Sequence, residues 1–380
     1  MSAFIDQRPP QGARIVVAMS GGVDSSVAAS LLREAGYEVV GVTLKVFCLG
    51  HRPDADRACC SLESIEDARR VARARGFDHY VFDVADLFAH QVIDRFTSEY
   101  LSGRTPNPCV LCNQNVKIGP LLARAAALGC EWIATGHYAR AGSSGGLVRL
   151  ARAADREKDQ SYVLWGLELE VAEHLVLPLG HLRKSEVRAE ARRLGLDLAE
   201  KPESQDICFV AGGRYAEFLE SRVPEKTPQF EEGAIVDEGG REIGRHHGVA
   251  RYTVGQRRGL GLSRPDPLYV IDIDSARNTL RVGPAEALLS GGLRASSARY
   301  FGPPPAAGDD VSVQIRSRHA AAPGRVVSAD AAGFEVAFDS PQPAVTPGQS
   351  AVLYRGDEVI GGGVIERASP SRSVAPAVRL

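Results

Sequence analysis

Two groups of residues in this chain have the types and spacing for chemistry. The first is Ser20-Gly21-Gly22-Val23-Asp24-Ser25-Ser26, directly after the apolar run Ile15-Val16-Val17-Ala18-Met19. A buried strand that runs into two glycines lets the backbone turn with its amides exposed, and a helix is expected from Ser25 through Leu32, stopping at Gly36. Amides and hydroxyls at a helix start hold phosphate oxygens. The spacing is not that of a GxxxxGK[ST] loop and no lysine follows the helix start, so the expected chemistry is at an α-phosphate, with release of pyrophosphate. The second group is thiols. Cys109 and Cys112 stand at CxxC spacing in a loop stiffened by Pro106 and Pro108, just before a helix containing Lys117, and Cys208 follows a polar segment at 201–207. Backbone amides near a helix N-terminus favour a thiolate, which makes Cys112 a candidate functional thiol.

The elements that must position these groups follow from pattern and composition. The 380 residues are 44% hydrophobic and 24% charged, as in a globular protein of two or three domains. No apolar run approaches the ~20 residues of a membrane span. Residues 1–12 lack a signal-peptide core and read as a short loose tail, so the expected compartment is the cytoplasm. Strands are expected at 38–44, 79–84 and 131–136, with helices at 61–75, 87–101 and 116–128, which together with the opening strand form a doubly wound parallel sheet of the α/β class. Ligands of such sheets bind at the carboxyl ends of the strands, where Ser20 to Ser25, Leu44 and Thr135-Gly136-His137 fall. A basic helix is expected at 184–194. After about Val223, short alternating segments such as 268–273, 310–315 and 333–338 read as β modules. The expected domains are 13–223, a small β-rich unit at 224–288 and a β-barrel at 289–368, followed by a disordered end.

Charge and the other cysteines narrow the classes. The formal net charge of −2 excludes nothing, but between Arg241 and Arg264 six arginines with His246 and His247 meet one acid, Glu242. That stripe suits a phosphate backbone. The seven cysteines are odd in number and irregular in spacing, which excludes a disulfide framework. Cys130, beside Trp132, and the pair Cys59-Cys60 at a helix start read as structural. His51, His79, His90 and His174 share no metal-ligand spacing.

With these motifs in order, the chain resembles the tRNA-specific 2-thiouridylases from about residue 13 to 366. The resemblance rests on the Ser20 loop, Asn107-Pro108 with Cys112, Thr135-Gly136-His137-Tyr138, Lys158-Asp159-Gln160-Ser161-Tyr162, Asp206-Ile207-Cys208-Phe209, Thr253-Val254-Gly255-Gln256-Arg257-Arg258-Gly259-Leu260 and Thr346-Pro347-Gly348-Gln349. It implies an adenine-nucleotide hydrolase-like (PP-loop) domain, a small central domain and a C-terminal barrel. By the same resemblance Ala18, Met19, Ser20, Gly21, Gly22, Val23, Asp24, Ser25, Leu44 and Gly136 would hold ATP with Mg²⁺. His137, Lys158, Asp159, Gln160, Arg316, Ser317 and Gln349 would touch tRNA, and Asn107, Pro108 and Cys109 would lie against the target base. Cys112 would be the nucleophile and Cys208 the persulfide carrier, loaded by a cysteine desulfurase or sulfur-relay protein. The expected substrates are the tRNAs for Lys, Glu and Gln, with uridine at the wobble position.

The chemistry agrees with such roles. A uridine C2 oxygen is a poor leaving group; adenylating it makes AMP the leaving group, after which a persulfide can deliver sulfur. Two positions depart from the family. Cys109 replaces a common aspartate, and a thiol of reference pKa about 8.5 cannot take over an ionised carboxylate's role unchanged. Either Cys109 is a base of lowered pKa, or Cys109, Cys112 and Cys208 hold an iron-sulfur cluster. Ser317 replaces an aromatic residue and cannot stack on a base. The rival enzyme class is a small-molecule ligase of the argininosuccinate or GMP synthetase type, which shares the loop but needs no paired thiols. A non-catalytic RNA-binding module is the third reading.

Overall fold

A computed structural model describes residues 4–46, 62–202 and 207–369. Cys48, Cys59, Cys60, Asp206 and the C-terminal end expected to be disordered lie outside the described residues. The first strands are β1 (Ile5–Asp6), β2 (Arg14–Ala18), β3 (Glu38–Lys45), β4 (Asp78–Asp83), β5 (Trp132–Thr135), β6 (Ala139–Ser144), β7 (Leu147–Arg152) and β8 (Leu175–Val176). Five of them form a parallel sheet in the order β4-β3-β2-β5-β8. Ile15, Val16 and Val17 are all 0% exposed, as a central strand covered on both faces requires. Ile15 and Val17 pack with the helices Val23–Glu34, Leu62–Arg75 and Lys184–Arg193 through Val27, Val71 and Val187. Val16 packs the other way, with Phe88, Phe96, Val116 and Leu121. The chain leaves β2 for β3 and β4, then returns to β5 on the other side. The crevice for a ligand therefore opens between the ends of β2 and β5.

The expected strands of this sheet stand within two residues of their places, and the basic helix within one. Two expectations change. The helix expected from Val116 begins at Pro108: Asn107 accepts hydrogen bonds from the amides of Cys109 (3.1 Å) and Val110 (3.4 Å), with proline at the first helical position. The helical run continues through a π turn at Asn113–Lys117 to Gly119–Ala125. The tail expected to be loose is paired in part, with Ile5 and Asp6 opposite Ser143 and Gly142 of β6. Among the described residues no helix is long and apolar enough to cross a membrane.

Two β bodies follow. Strands β9 (Gly233–Val236), β10 (Glu242–His246), β11 (Tyr269–Asp274) and β12 (Thr279–Gly283) form a sheet in the order β10-β9-β12-β11 around Ile235, Val249, Val270 and Leu280. The last strands are β13 (Leu289–Tyr300), β14 (Asp310–Gln314), β15 (Ala322–Ala329), β16 (Gly333–Pro343), β17 (Ser350–Arg355) and β18 (Glu358–Ser369). They run β18-β13-β16-β15-β14-β17, and pairing of β17 with β18 closes the barrel and removes its edges. The hairpin β6–β7, from the α/β half of the chain, joins the same sheet where Leu150 and Ala151 pair with Val359 and Glu358.

The barrel is fastened to the thiol loop by backbone and buried polar bonds. The Thr105 amide donates to the Pro347 carbonyl (2.9 Å), and Gln349 Nε2 donates to the carbonyls of Thr105 (2.8 Å) and Pro106 (3.4 Å). Arg104 bonds Glu99 (2.6 Å) on its own side and Glu366 (2.7 Å) on the barrel. Farther along, the Arg152 guanidinium bonds Asp159 (2.9 Å) and Gln314 (2.9 Å) and lies over the Tyr354 ring at 3.7 Å. The Tyr162 hydroxyl donates to the Ser350 carbonyl (2.9 Å) and also bonds the Asn107 side chain.

Two substitutions test this seam. Gly348 has φ +89°, and a Cβ there would stand 2.9–3.0 Å from Thr105 backbone atoms. Gly348→Ala is therefore expected to destabilise by about 1–3 kcal/mol, read as a lower urea midpoint; an unchanged midpoint would show that the seam carries no load. The Asp159 side chain is 5% exposed and that of Arg152 16%. Asp159→Asn leaves the guanidinium without its counter-charge, for an expected loss of about 3–5 kcal/mol. A loss below about 0.5 kcal/mol, the range of ordinary surface changes, would contradict the burial argument.

Candidate functional site

The loop after β2 is built as a turn that presents donors. Gly21 takes φ +69°, and its inner side abuts the Ser64 backbone so closely that a Cβ would sit 2.0 Å from the Ser64 carbonyl oxygen. The helix begins at Val23, two residues before the expected Ser25, with Gly22 in extended conformation ahead of it. Ser25 Oγ accepts from the Ser20 amide (3.1 Å) and stands 3.4 Å from Ser20 Oγ, which ties the two ends of the loop together. Ala18 ends β2, and Met19 is pinned by its amide to the Val42 carbonyl (2.8 Å). Gly136 follows β5 and meets the loop directly, since a Cβ on it would stand 2.7 Å from the Ser25 amide nitrogen. Leu44, 8% exposed, lies near the end of β3. The fold thus brings the loop residues and Gly136 into contact, with Leu44 on the neighbouring strand.

Two charged side chains at this loop, Lys184 and Lys201, escaped the sequence. Lys184 Nζ donates to both Asp24 oxygens (2.7 and 2.9 Å), and the Tyr138 hydroxyl donates to Asp24 Oδ1 (2.7 Å). Lys201 Nζ donates to Asp67 Oδ2 (2.6 Å) and to the Gly21 carbonyl (3.2 Å). The loop lacks a lysine in its own sequence yet has two beside it in space. A lysine at the start of a basic helix was a visible signal, but its partner is 160 positions away.

The thiols are placed differently from the simple expectation. Cys109 is in the first turn of the helix and exposed; Cys112 is one turn further in and 6% exposed. The helix N-terminus that was to favour the Cys112 thiolate lies instead at Cys109. Cys112 belongs to the apolar core that also contains Leu44, and Cys208 packs against that same core. Cys130 is 2% exposed with its thiol pushed up by burial, as a structural cysteine should be. Among the described residues no group of three or more His, Cys, Asp or Glu side chains could hold a metal ion.

Several residues expected to touch tRNA are engaged inside the protein. The Asp159 carboxylate accepts from Arg152 (2.9 Å), the Ala153 amide (2.9 Å), Ser161 Oγ (2.8 Å) and the Ser161 amide (3.3 Å). Gln160 exchanges hydrogen bonds with the Tyr138 backbone (2.7 and 2.9 Å), and Gln349 holds the thiol loop as described. His137 bonds Thr135 Oγ1 (2.7 Å), and burial, with Lys117 nearby, pushes its imidazole down to about 3, so it is neutral at physiological pH. Lys158 is half-buried in the same turn, Arg316 is half-buried and Ser317 exposed, and Gln314 Nε2 donates to the carbonyls of Arg316 (3.1 Å) and Ser317 (3.0 Å).

The positive stripe is smaller than its sequence. Arg241 pairs with Asp237, Arg245 with Glu232 and Glu242, and Arg251 with Glu220. His246 is 0% exposed, bonded to the Asn278 carbonyl and the Gly248 amide, and burial holds its imidazole below the ordinary range. Arg257, Arg258 and Arg264 are exposed, with no carboxylate partner among the described residues. The basic helix is similarly committed, with Arg192 on Glu200 and Arg193 on Glu34 and Glu190.

Comparison with known proteins agrees with this architecture. A family model described as the tRNA methyl transferase HUP domain matches residues 13–212, its PRC-barrel counterpart matches 216–284, and an aminomethyltransferase beta-barrel model matches 290–365. The chain is 47% identical to the tRNA-specific 2-thiouridylase MnmA of Geotalea uraniireducens, over 93% of this chain and 95% of that one. It is also 47% identical to the proteins of that name from Rhodospirillum centenum (99% and 97% covered) and from a Roseiflexus species (93% and 100% covered). A nucleotide-type loop, two thiols on one core and a barrel locked to the thiol loop thus coincide with near full-length identity, and the chain belongs to the tRNA-specific 2-thiouridylase family of tRNA sulfurtransferases.

Proposed function

We propose that the chain replaces the C2 oxygen of wobble uridine with sulfur by adenylation followed by transfer from a persulfide. The observation that supports this best is the common apolar core shared by Leu44, Cys112 and Cys208, beside a loop with the features of a pyrophosphate site. The loop amides, with Lys184 and Lys201, would receive the β- and γ-phosphates of ATP, which leave as pyrophosphate when the uridine oxygen attacks the α-phosphorus. Asp24 offers a carboxylate oxygen of the hard kind that Mg²⁺ prefers, and the cation would add charge neutralisation at the pyrophosphate. The target base must leave the anticodon stack to reach this crevice.

The outer sulfur of a Cys208 persulfide then attacks C2, and AMP departs with the former uridine oxygen. Cys112 attacks the inner sulfur, Cys208 Sγ; that S–S bond breaks, sulfur stays on the base and a Cys112–Cys208 disulfide remains. A variant order, in which Cys112 attacks the persulfide first and frees sulfide locally, ends in the same disulfide. Exposed Arg257, Arg258 and Arg264, with Lys158, Arg316 and Ser317, would meet tRNA phosphates. Asp159, Gln160 and Gln349 would act by holding those segments in place. A cysteine desulfurase or relay protein would load Cys208, and tRNAs for Lys, Glu and Gln are the proposed substrates.

Purified protein, tRNA, ATP, Mg²⁺ and a cysteine-desulfurase sulfur source give the decisive assay, read as a sulfur-retarded tRNA band. Cys112→Ser and Cys208→Ser are each expected to abolish the band while tRNA-dependent pyrophosphate release continues; thiolation surviving either change would rule out this route. Lys184→Met removes charge-assisted hydrogen bonds of about 1.5–3 kcal/mol, so ATP affinity by calorimetry is expected to fall roughly 10- to 100-fold. An unchanged affinity would take Lys184 out of the nucleotide site.

A further inference from the structure

Tyr138 stands between the two kinds of residue that the proposed route brings together. It follows His137 after β5, is 3% exposed, and donates its hydroxyl to Asp24 Oδ1 (2.7 Å) at the nucleotide loop. Its backbone is clamped at the other end: the Tyr138 amide donates to the Gln160 side chain (2.9 Å), and the Gln160 amide donates back to the Tyr138 carbonyl (2.7 Å). Asp159, beside Gln160, is anchored by Arg152 (2.9 Å), whose guanidinium also reaches Gln314 of the barrel (2.9 Å). One buried tyrosine thus touches the nucleotide loop with its side chain and the turn expected to meet RNA with its main chain.

We infer that Tyr138 is a positioning residue that couples the nucleotide site to the RNA-facing turn, so that the two ligands strengthen each other's binding. The inference rests on the proposed nucleotide and tRNA sites and adds a link between them that neither site needs in order to bind alone. In the ligand-free loop Asp24 accepts from Tyr138 and twice from Lys184 (2.7 and 2.9 Å). When Lys184 turns to a triphosphate, the Asp24 carboxylate loses its counter-charge beside an incoming anion, and the Tyr138 hydroxyl remains as a donor to it. A carboxylate that keeps a strong hydrogen bond costs less to leave without its cation. RNA that orders the 158–160 turn fixes the Tyr138 backbone and with it the hydroxyl on Asp24; nucleotide that draws Lys184 away fixes the same hydroxyl from the other side. The ordering cost is met once for both ligands, and the coupling is reciprocal.

Full-length protein is titrated by calorimetry with α,β-methylene-ATP, whose carbon bridge blocks release of pyrophosphate, with and without saturating unmodified tRNA for Lys. Wild type is expected to bind the analogue about fivefold or more tightly with tRNA present, and tRNA more tightly by the same factor with the analogue present. Tyr138→Phe keeps the buried ring and removes the hydroxyl, so both factors are expected to fall below about twofold while tRNA affinity without nucleotide stays at the wild-type value. Gln160→Ala opens the clamp at the other end and is expected to lower the factors as well, which keeps the test independent of how one variant folds. No coupling in wild type, or factors unchanged in both variants, would overturn the link and leave the two binding sites standing. Failure of the analogue or of tRNA to bind wild type at all would overturn the proposed function together with the link.

Discussion

Everything in the proposed site depends on a seam of a few hydrogen bonds between the thiol loop and the barrel. The loop 104–108 contains two prolines, so it has few amides with which to bond itself, while its carbonyls at Thr105 and Pro106 still need donors. Gln349 supplies them, and Pro347 takes the Thr105 amide in return. With the backbone before Asn107 fixed in this way, the Asn107 side chain caps the helix that carries both thiols. The position of Cys109 and Cys112 is therefore set from outside the α/β body, by residues some 240 positions later in the chain.

The same logic runs through the β6–β7 hairpin. By pairing β7 with β18 the α/β half continues into the barrel sheet, so the two bodies share ladder bonds as well as side-chain contacts. Arg152 lies at the end of that hairpin and reaches both Asp159 and Gln314, and Gln314 in turn fixes the backbone at Arg316 and Ser317. A polymer that bridges the barrel and the α/β body would meet segments already held in register. That preorganisation lowers the ordering cost of binding.

What the sequence made legible is local. The loop after β2 and the strand ends each depend on neighbours within about ten residues, and each stands close to its expected position. The Asn-Pro start of the thiol helix is equally local: Asn107 as cap and Pro108 at the first helical position mark a helix start that apolar periodicity does not show. Charge was the least legible property. Six arginines counted as one stripe separate into three with carboxylate partners and three without one among the described residues, because Asp237, Glu232 and Glu220 arrive from outside the counted segment. Asp159 looked like a surface recognition residue and proved to be a buried counter-ion, since nothing in its own segment reveals Arg152 as its partner.

The nucleotide loop shows why such pairings matter for chemistry. An ordinary phosphate loop carries its lysine in sequence, at a fixed spacing from the glycines. Here the cations come from two separate elements, and each is matched to a carboxylate, Lys184 to Asp24 and Lys201 to Asp67. Paired charges hold the long lysine side chains in place and keep the ligand-free loop near neutrality. In the proposed route an arriving triphosphate would exchange partners with groups already oriented, which would separate the reorganisation from the chemical step.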